Sequence, residues 1–298
     1  MTQKLHLLID TIKQNGYREI TPIERDEFGR FHGIISDLQG NKFFVKAVIG
    51  KESYSYKSLR AEARVTRYLS TRTNKTFLKY NGYRLQIPSV EKVINYEEIL
   101  CLISRYIKGK RLLDEPSHIQ AEMLSTTLEL ITQLSDETRR SIIQQYLKNY
   151  TRRALLLNFP FRLLKAIILS PFATAGLILS ARKVLQLLRI DSYDYGLIHA
   201  DVNASNILIY KKTIYLTDWE EAGWGITAYN TIAPLCTHWQ DRLVRQRLLL
   251  GLNDKEFKRI IVPLLAYRIL TLFNQNIDRK NIKRIRDLKL LKFVETFQ

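Results

Sequence analysis

The chain has 298 residues, 46% of them hydrophobic, enough for more than one hydrophobic core and ordinary for a globular protein. Its two cysteines, Cys101 and Cys236, stand apart without ligand spacing, which argues against a disulfide framework or a zinc site and for a reducing, cytoplasmic setting. With 47 Lys and Arg against 29 Asp and Glu, the formal net charge is +18 and the pI about 9.8, a field that opposes cationic partners.

The first fifteen residues include an apolar stretch. Asp10 interrupts it and no small-residue cleavage site follows, so it reads as a lead helix, not a signal peptide. Residues 26–33 contain two glycines, Gly29 and Gly33. Residues 42–48 alternate and are rich in strand formers. Lys46 falls mid-strand, where an ammonium is costly without anionic partners. Residues 53–70 read as a helix with Leu59, Glu62, Thr66 and Leu69 on one face. Glu62 is the expected partner of Lys46. Residues 82–88 and 92–96 add candidate strands. Residues 102–112 combine a short apolar strand containing Ile103 with Tyr106 and Gly109.

Residues 115–134 read as the next long helix. From 138 to 190 there is no Asp or Glu, while ten Lys and Arg run from Arg139 to Arg189. Residues 166–181 carry no charge, but a bilayer span needs about 20 apolar residues and Pro171 interrupts this run. Ser170 and Pro171 read as an N-cap and first turn, dividing two helices. The plain expectation is core helices with basic outer faces. A second is a basic amphipathic surface in peripheral contact with an anionic membrane. A nucleic-acid surface, with Tyr146, Tyr150, Phe159 and Phe161 among the basic residues, is the weakest.

His199, Asp201 and Asn206 follow the pattern H-x-D-x-x-x-x-N. Residues 207–210 and 213–216 then read as a β-hairpin with Lys211 and Lys212 at the turn, which lacks the usual Gly or Asn. A carboxylate at Asp201 can accept a proton from an attacking hydroxyl or hold it in line. The amide oxygen of Asn206 is a hard ligand suited to Mg²⁺, and the return strand brings Asp218 beside it. Grouping these oxygens is costly without a cation.

The run from Asp218 through Trp219, Glu220, Ala222 and Gly223 resembles the aminoglycoside phosphotransferase and choline kinase branch of the protein-kinase-like superfamily. The apolar strand, aromatic residue, Gly109 and Leu112 before it resemble that branch's hinge. The resemblance implies an α+β, bilobal protein-kinase-like fold. Its small N-lobe, residues 1–103, would hold an antiparallel sheet and one key helix. The hinge would be 104–109, and the larger, mainly helical catalytic and substrate lobe 110–298. Asp201 would be the catalytic base, Asn206 and Asp218 the Mg²⁺ ligands, and Lys46 the anchor for ATP or GTP phosphates, with Glu62 as its partner. Gly29, Gly33, Ile103 and Tyr106 would contact the nucleotide. His199 would hold the loop, and Glu220 would support the metal or lie beside it.

Three positions depart from the family. The phosphate-covering loop, which the resemblance places between the first two strands near residues 26–33, has only Gly29 and Gly33, though backbone amides there can still cap a phosphate. Arg105 stands where an acidic hinge residue is common. Asn230 replaces an Asp that ties the catalytic loop to a helix, which puts local rigidity in question. Aminoglycosides and choline are cations, so the charge favours a neutral or anionic hydroxyl acceptor: a sugar, a small metabolite or a glycolipid headgroup. The expected activity is therefore transfer of a γ-phosphoryl group to such a hydroxyl in the cytoplasm. The alternative is a weakly active pseudokinase or scaffold that uses its basic helices to bind membrane or nucleic acid.

Overall fold

The computed structural model describes residues 2–26, 29–76, 78–138, 147–189, 193–250, 257–275, 289–292 and 294. Glu27 and Phe28 of the expected phosphate loop, and Arg139, Arg140 and Tyr146 of the basic segment, lie outside the described residues. The chain forms two compact units. One is Met1–Arg111 with Gln145–Leu147 and Asn206–Ala222; the other is Leu112–Gln144, Lys148–Ser205 and Gly223–Gln298.

The first unit opens with α1 (Thr2–Gln14) and continues through β1 (Arg18–Glu19), β2 (Glu24–Arg25), β3 (Phe31–Ser36) and β4 (Lys42–Ile49). After α2 (Tyr54–Lys75) come β5 (Lys79–Tyr80), β6 (Tyr83–Gln86), β7 (Val90–Tyr96), β8 (Ile99–Arg105) and β9 (Lys110–Arg111). The main sheet is antiparallel in the order β1-β3-β4-β8-β7, with β2 also on β3. Side chains alternate across it. Val45, Ala47, Cys101 and Ile103 join Leu8 and Ile12 of α1 in one core. Val48, Leu100 and Leu102 join Tyr56, Leu59 and Ala63 of α2 in another. Lys46 lies between Val45 and Ala47 and so faces α2. Burial pushes the Cys101 thiol up to about 12, as expected of a packing residue.

Ser53 caps α2 by accepting the Tyr56 N–H at 3.1 Å. Leu59, Glu62, Thr66 and Leu69 are all buried along one face, as their spacing predicts.

The expected hairpin forms as β12 (Ile207–Tyr210) and β13 (Thr213–Leu216), in the register Ile207 opposite Leu216. Without glycine in the turn, Lys211 takes the left-handed conformation, φ +54°. The reading that embeds this hairpin in the helical part is corrected: it packs with the first unit. β13 pairs parallel with β6 and β12 antiparallel with β9, so both hairpin edges are hydrogen-bonded there.

The second unit contains a three-stranded sheet, β10 (Lys148–Tyr150), β14 (Gly223–Ile226) and β11 (Tyr195–Ile198), in the order β10-β14-β11. Its described helices are α3 (Ser117–Thr138), α4 (Arg152–Leu169), α5 (Thr174–Leu185), α6 (Tyr229–His238), α7 (Arg242–Leu248) and α8 (Val262–Gln275). α8 packs on α4 and α5 and buries Leu265, Ile269, Leu270 and Phe273. α3 packs on α7 and β11. The break between α4 and α5 falls at Ser170 as predicted, and Pro171 begins a short 3₁₀ turn. The expected capping by the Ser170 hydroxyl is corrected: its side chain makes no cap hydrogen bond, and its N–H instead closes the last turn of α4 on Ala166 and Ile167.

Gly225 sits directly against the backbone of Tyr150 across the parallel β10–β14 pair. A Cβ there would collide with main chain that cannot turn aside. Gly225→Ala is expected to cost about 1–3 kcal/mol and to lower Tm by several degrees in thermal unfolding. An unchanged Tm would refute the close packing of these strands.

Candidate active site

Four side chains from separate parts of the sequence meet in the first unit. Lys46 Nζ, on β4, donates to Glu62 Oε2 of α2 at 2.7 Å and to Asp218 Oδ1 at 2.7 Å; Glu220 Oε2 lies 3.5 Å away. Lys46 and Glu62 are buried, while Asp218 and Glu220 are partly open. Arg30 comes from the loop before β3 and donates to Glu220 as well. Oxygens of Glu62, Asp218 and Glu220 lie within 4.8 Å of one another.

Local sequence explains how these groups are held. Asp218 adopts φ +63°, a conformation that Asp tolerates better than most residues. The next residue, Trp219, is fully buried and its indole N–H donates to the Leu216 carbonyl at 3.0 Å. Thr217 donates from both its N–H and its hydroxyl to the Asn206 carbonyl, at 2.9 and 3.0 Å, tying the two ends of the hairpin together. Asn206 and Asp218 therefore lie together at the open end of the strand pair, away from the Lys211–Lys212 turn.

The charges oppose one another. Burial lowers the Lys46 pKa, but Glu62, Asp218 and Glu220 outweigh it and hold the ammonium charged. Burial pushes the Glu62 carboxyl up; Lys46 pulls it down, Asp218 and Glu220 push it up, and the result is about 7 against the usual 4.5. Three carboxylates face the two cations Lys46 and Arg30, so the cluster has carboxylate to spare for a divalent cation.

Arg30 is a residue that sequence reasoning missed; its only signal was a place beside Gly29. Asp26 holds it, accepting the Arg30 N–H and Nε–H, each at 2.9 Å, with His32 Nε2 also at 2.9 Å. Burial raises the Asp26 pKa, but His32 and Arg30 overcome this and lower it to about 2. Gly29 takes φ +78° in the turn that Asp26 closes. Gly33 does not lie in the loop. It is inside β3 opposite Val45, and a Cβ there would strike Ile23, so its smallness serves packing. Ile103 likewise points into the α1 core, on the face opposite Lys46, because it pairs with Val45 and not with Lys46. Tyr106 lines a cavity of about 340 Å³ with Arg84, Pro88, Tyr210 and Tyr215.

In the second unit, Asp201 follows β11. Asn203 Nδ2 donates to its carboxylate at 3.1 Å, and Arg268 of α8 lies 3.5 Å from it. Arg268 is another residue without a sequence signal, since nothing in the helix pattern of α8 marks it. Burial lowers its pKa, but Tyr229 and Asp201 raise it above the ordinary value. Ala200, just before Asp201, is held at φ +64°. His199 is fully buried, and its Nδ1 accepts the Asp201 N–H at 3.3 Å.

Asn230 tightens this loop instead of loosening it, correcting the doubt its departure raised. Its Oδ1 accepts the His199 N–H at 2.8 Å and its Nδ2 donates to the Leu197 carbonyl at 2.9 Å. A carboxylate could supply only the first bond.

No protein-family model matches the chain, and no curated protein matches it. Solved structures do. A thermostable mutant of aminoglycoside phosphotransferase APH(4)-Ia, in ternary complex with ADP and hygromycin B, aligns with a TM-score of 0.70 at 13% identity, covering 98% of this chain and 97% of that one. Amicoumacin kinase hAmiN, in complex with AMP-PNP, Ca²⁺ and Ami, aligns at 0.64 and 12% identity over 99% and 94%. The GDP complex of aminoglycoside 2'-phosphotransferase-IIIa aligns at 0.63 and 14% identity over 98% of each chain. The chain therefore has the α+β fold of the aminoglycoside phosphotransferases, as its motifs imply.

Two outcomes follow. Because the folded Glu62 pKa lies above its unfolded value, Glu62 makes the protein less stable as pH rises from about 4.5 to about 7. In thermal melts across that window, Glu62→Gln should flatten the decline relative to wild type; parallel curves would refute the crowding of carboxylates. Asn230→Asp removes a donor and sets a carboxylate oxygen against the Leu197 carbonyl, which should cost about 1–3 kcal/mol in denaturant unfolding. Unaltered stability would show that the amide's two bonds are dispensable.

Proposed function

We propose that the chain is a nucleoside-triphosphate-dependent phosphotransferase that moves a γ-phosphoryl group to an alcohol. The observation that carries this reading is the Lys46 ammonium bound to both Glu62 and Asp218 at 2.7 Å. A strand lysine, a helix glutamate and an aspartate after a hairpin are the parts that hold nucleotide phosphates and their metal in kinase-like enzymes.

In the first unit, Lys46 orients the phosphates and Glu62 holds Lys46. Asn206 and Asp218 supply the hard oxygen donors that Mg²⁺ prefers, and the surplus carboxylate of the cluster fits a divalent cation. The metal, when bound, neutralises charge on the phosphate oxygens. Gly29 and Arg30 form the loop that meets the phosphates, Tyr106 is the candidate contact for the base, and Glu220 holds Arg30. In this reading residues 1–103 form the nucleotide lobe together with the hairpin segment Asn206–Ala222, 104–109 the connection, and the rest of 110–298 the catalytic and acceptor lobe. ATP and GTP both remain candidates, because the related folds carry ADP, AMP-PNP or GDP.

In the second unit, Asp201 receives the acceptor. Its carboxylate takes the proton of the hydroxyl as the acceptor oxygen bonds to the γ-phosphorus and the bond to the nucleoside diphosphate breaks. Asn203 and Arg268 hold that carboxylate in place. Arg268 beside Asp201 and the net charge of +18 together favour a neutral or anionic acceptor, such as a sugar, a small metabolite or a glycolipid headgroup, in a cytoplasmic setting.

Asp201→Asn should leave Mg²⁺–nucleotide stabilisation intact and reduce transfer by about 10²–10⁴-fold. A ligand at a hundred times its Kd adds about 2.7 kcal/mol, readable as a rise in Tm. If neither ATP nor GTP with Mg²⁺ raises Tm, or if Asp201→Asn retains full turnover, the reading fails.

A further inference from the structure

Helix α4 is apolar on two faces. It packs on α8 and buries Leu155, Phe159 and Ala166. On the outside, Leu157, Phe161, Leu164 and Ile168 recur at i, i+4, i+7 and i+11, and they are 64%, 77%, 59% and 67% exposed. At 3.6 residues per turn these four fall in a stripe about 60° wide. Arg153 and Lys165, both exposed, flank the stripe on its two sides. After a bend of 114° follows α5, where Ile178 and Leu185 are 44% and 45% exposed and the exposed Arg182 lies between them in sequence.

A water-facing helix does not carry its largest hydrophobic side chains at the centre of the solvent side unless something covers them. No single helix among the described residues is long and apolar enough to cross a membrane. A second copy of the chain would set the same basic flanks against each other, with no acid between 138 and 190 to pair them. A nucleic acid would use the basic residues and could stack a base on Phe161, but it has no partner for Leu157, Leu164 and Ile168. An anionic lipid surface satisfies both features: acyl chains take the stripe and headgroup phosphates take its basic rims.

We propose that the α4–α5 surface docks on the anionic face of a lipid bilayer. Leu157, Phe161, Leu164 and Ile168 enter the acyl boundary, and Arg153, Lys165 and Arg182 meet the headgroups. This stands independently of the phosphotransfer reading, because none of these residues belongs to the site described above. If both hold, the alcohol that reaches Asp201 is carried on, or released near, a membrane surface.

The full chain, floated with vesicles, tests this. It should bind vesicles of phosphatidylcholine mixed with phosphatidylglycerol and bind pure phosphatidylcholine about tenfold more weakly or worse, with binding falling as salt rises. Leu157→Ser with Phe161→Ser, and separately Arg153→Glu with Lys165→Glu, should each reduce binding to anionic vesicles by about tenfold or more at unchanged Tm. Failure to float with anionic vesicles, or wild-type binding by both double variants, overturns the proposal. So does a dimer in sedimentation that Leu157→Ser with Phe161→Ser dissolves while no vesicle binding is seen, which assigns the face to a second copy. Polyuridylate binding that survives the serine variant, again without vesicle binding, overturns it in favour of nucleic acid.

Discussion

One buried ammonium organises the first unit. Lys46 is the only cation among the described residues bonded to both the α2 glutamate and the aspartate after the hairpin, and neither side of that arrangement is stable alone. A buried ammonium without carboxylates would carry a large desolvation penalty, and grouped carboxylates without a cation would protonate. The alternation of β4 makes the arrangement possible. It sends Val45 and Ala47 into the α1 core and leaves Lys46 facing α2, so one strand closes an apolar core and positions a charge. Sheet, helix and hairpin are thus locked by a polar contact that also defines the candidate chemistry.

Around both carboxylates assigned to chemistry the backbone is unusual. Asp218 is itself left-handed, and Ala200 immediately precedes Asp201 in the same region. Such conformations cost roughly 1–3 kcal/mol each and persist only where the surroundings over-determine them. The surroundings here are identifiable. Trp219 is buried and bonded to Leu216, and Thr217 ties back to Asn206. Asn230 clamps both His199 and Leu197. Ordinary hydrogen bonds and one indole therefore hold two strained turns that aim two acids.

The positive charge has two structural destinations. Arg30, Lys46 and Arg268 are internal cations, each paired with a carboxylate of its own unit. Arg153, Lys165 and Arg182 lie outside, near exposed hydrophobic side chains. Both proposals draw on this excess, the first for a neutral or anionic acceptor and the second for an anionic lipid surface, so charge links the proposed chemistry to the proposed place of work.

What the sequence determined by itself was local pattern and order. Alternation in residues 42–48, the buried face of α2, the hairpin at 207–216 and the break at Ser170 were legible because each depends on neighbours along the chain, where periodicity and turn chemistry operate. The pairing of Lys46 with Glu62 was legible through order and spacing together with the family resemblance. Only tertiary structure decided which face each residue takes and which distant partner it meets. Ile103 and Gly33 looked like nucleotide contacts but are packing residues, since sheet register sets the face and register arises from pairing across strands. Arg30 reaches Glu220 and Arg268 reaches Asp201 over separations that no local pattern encodes. The hairpin joined the first unit because β6 and β9 offered free edges to it, a choice made by backbone hydrogen bonding in space and invisible in the residues of the hairpin alone.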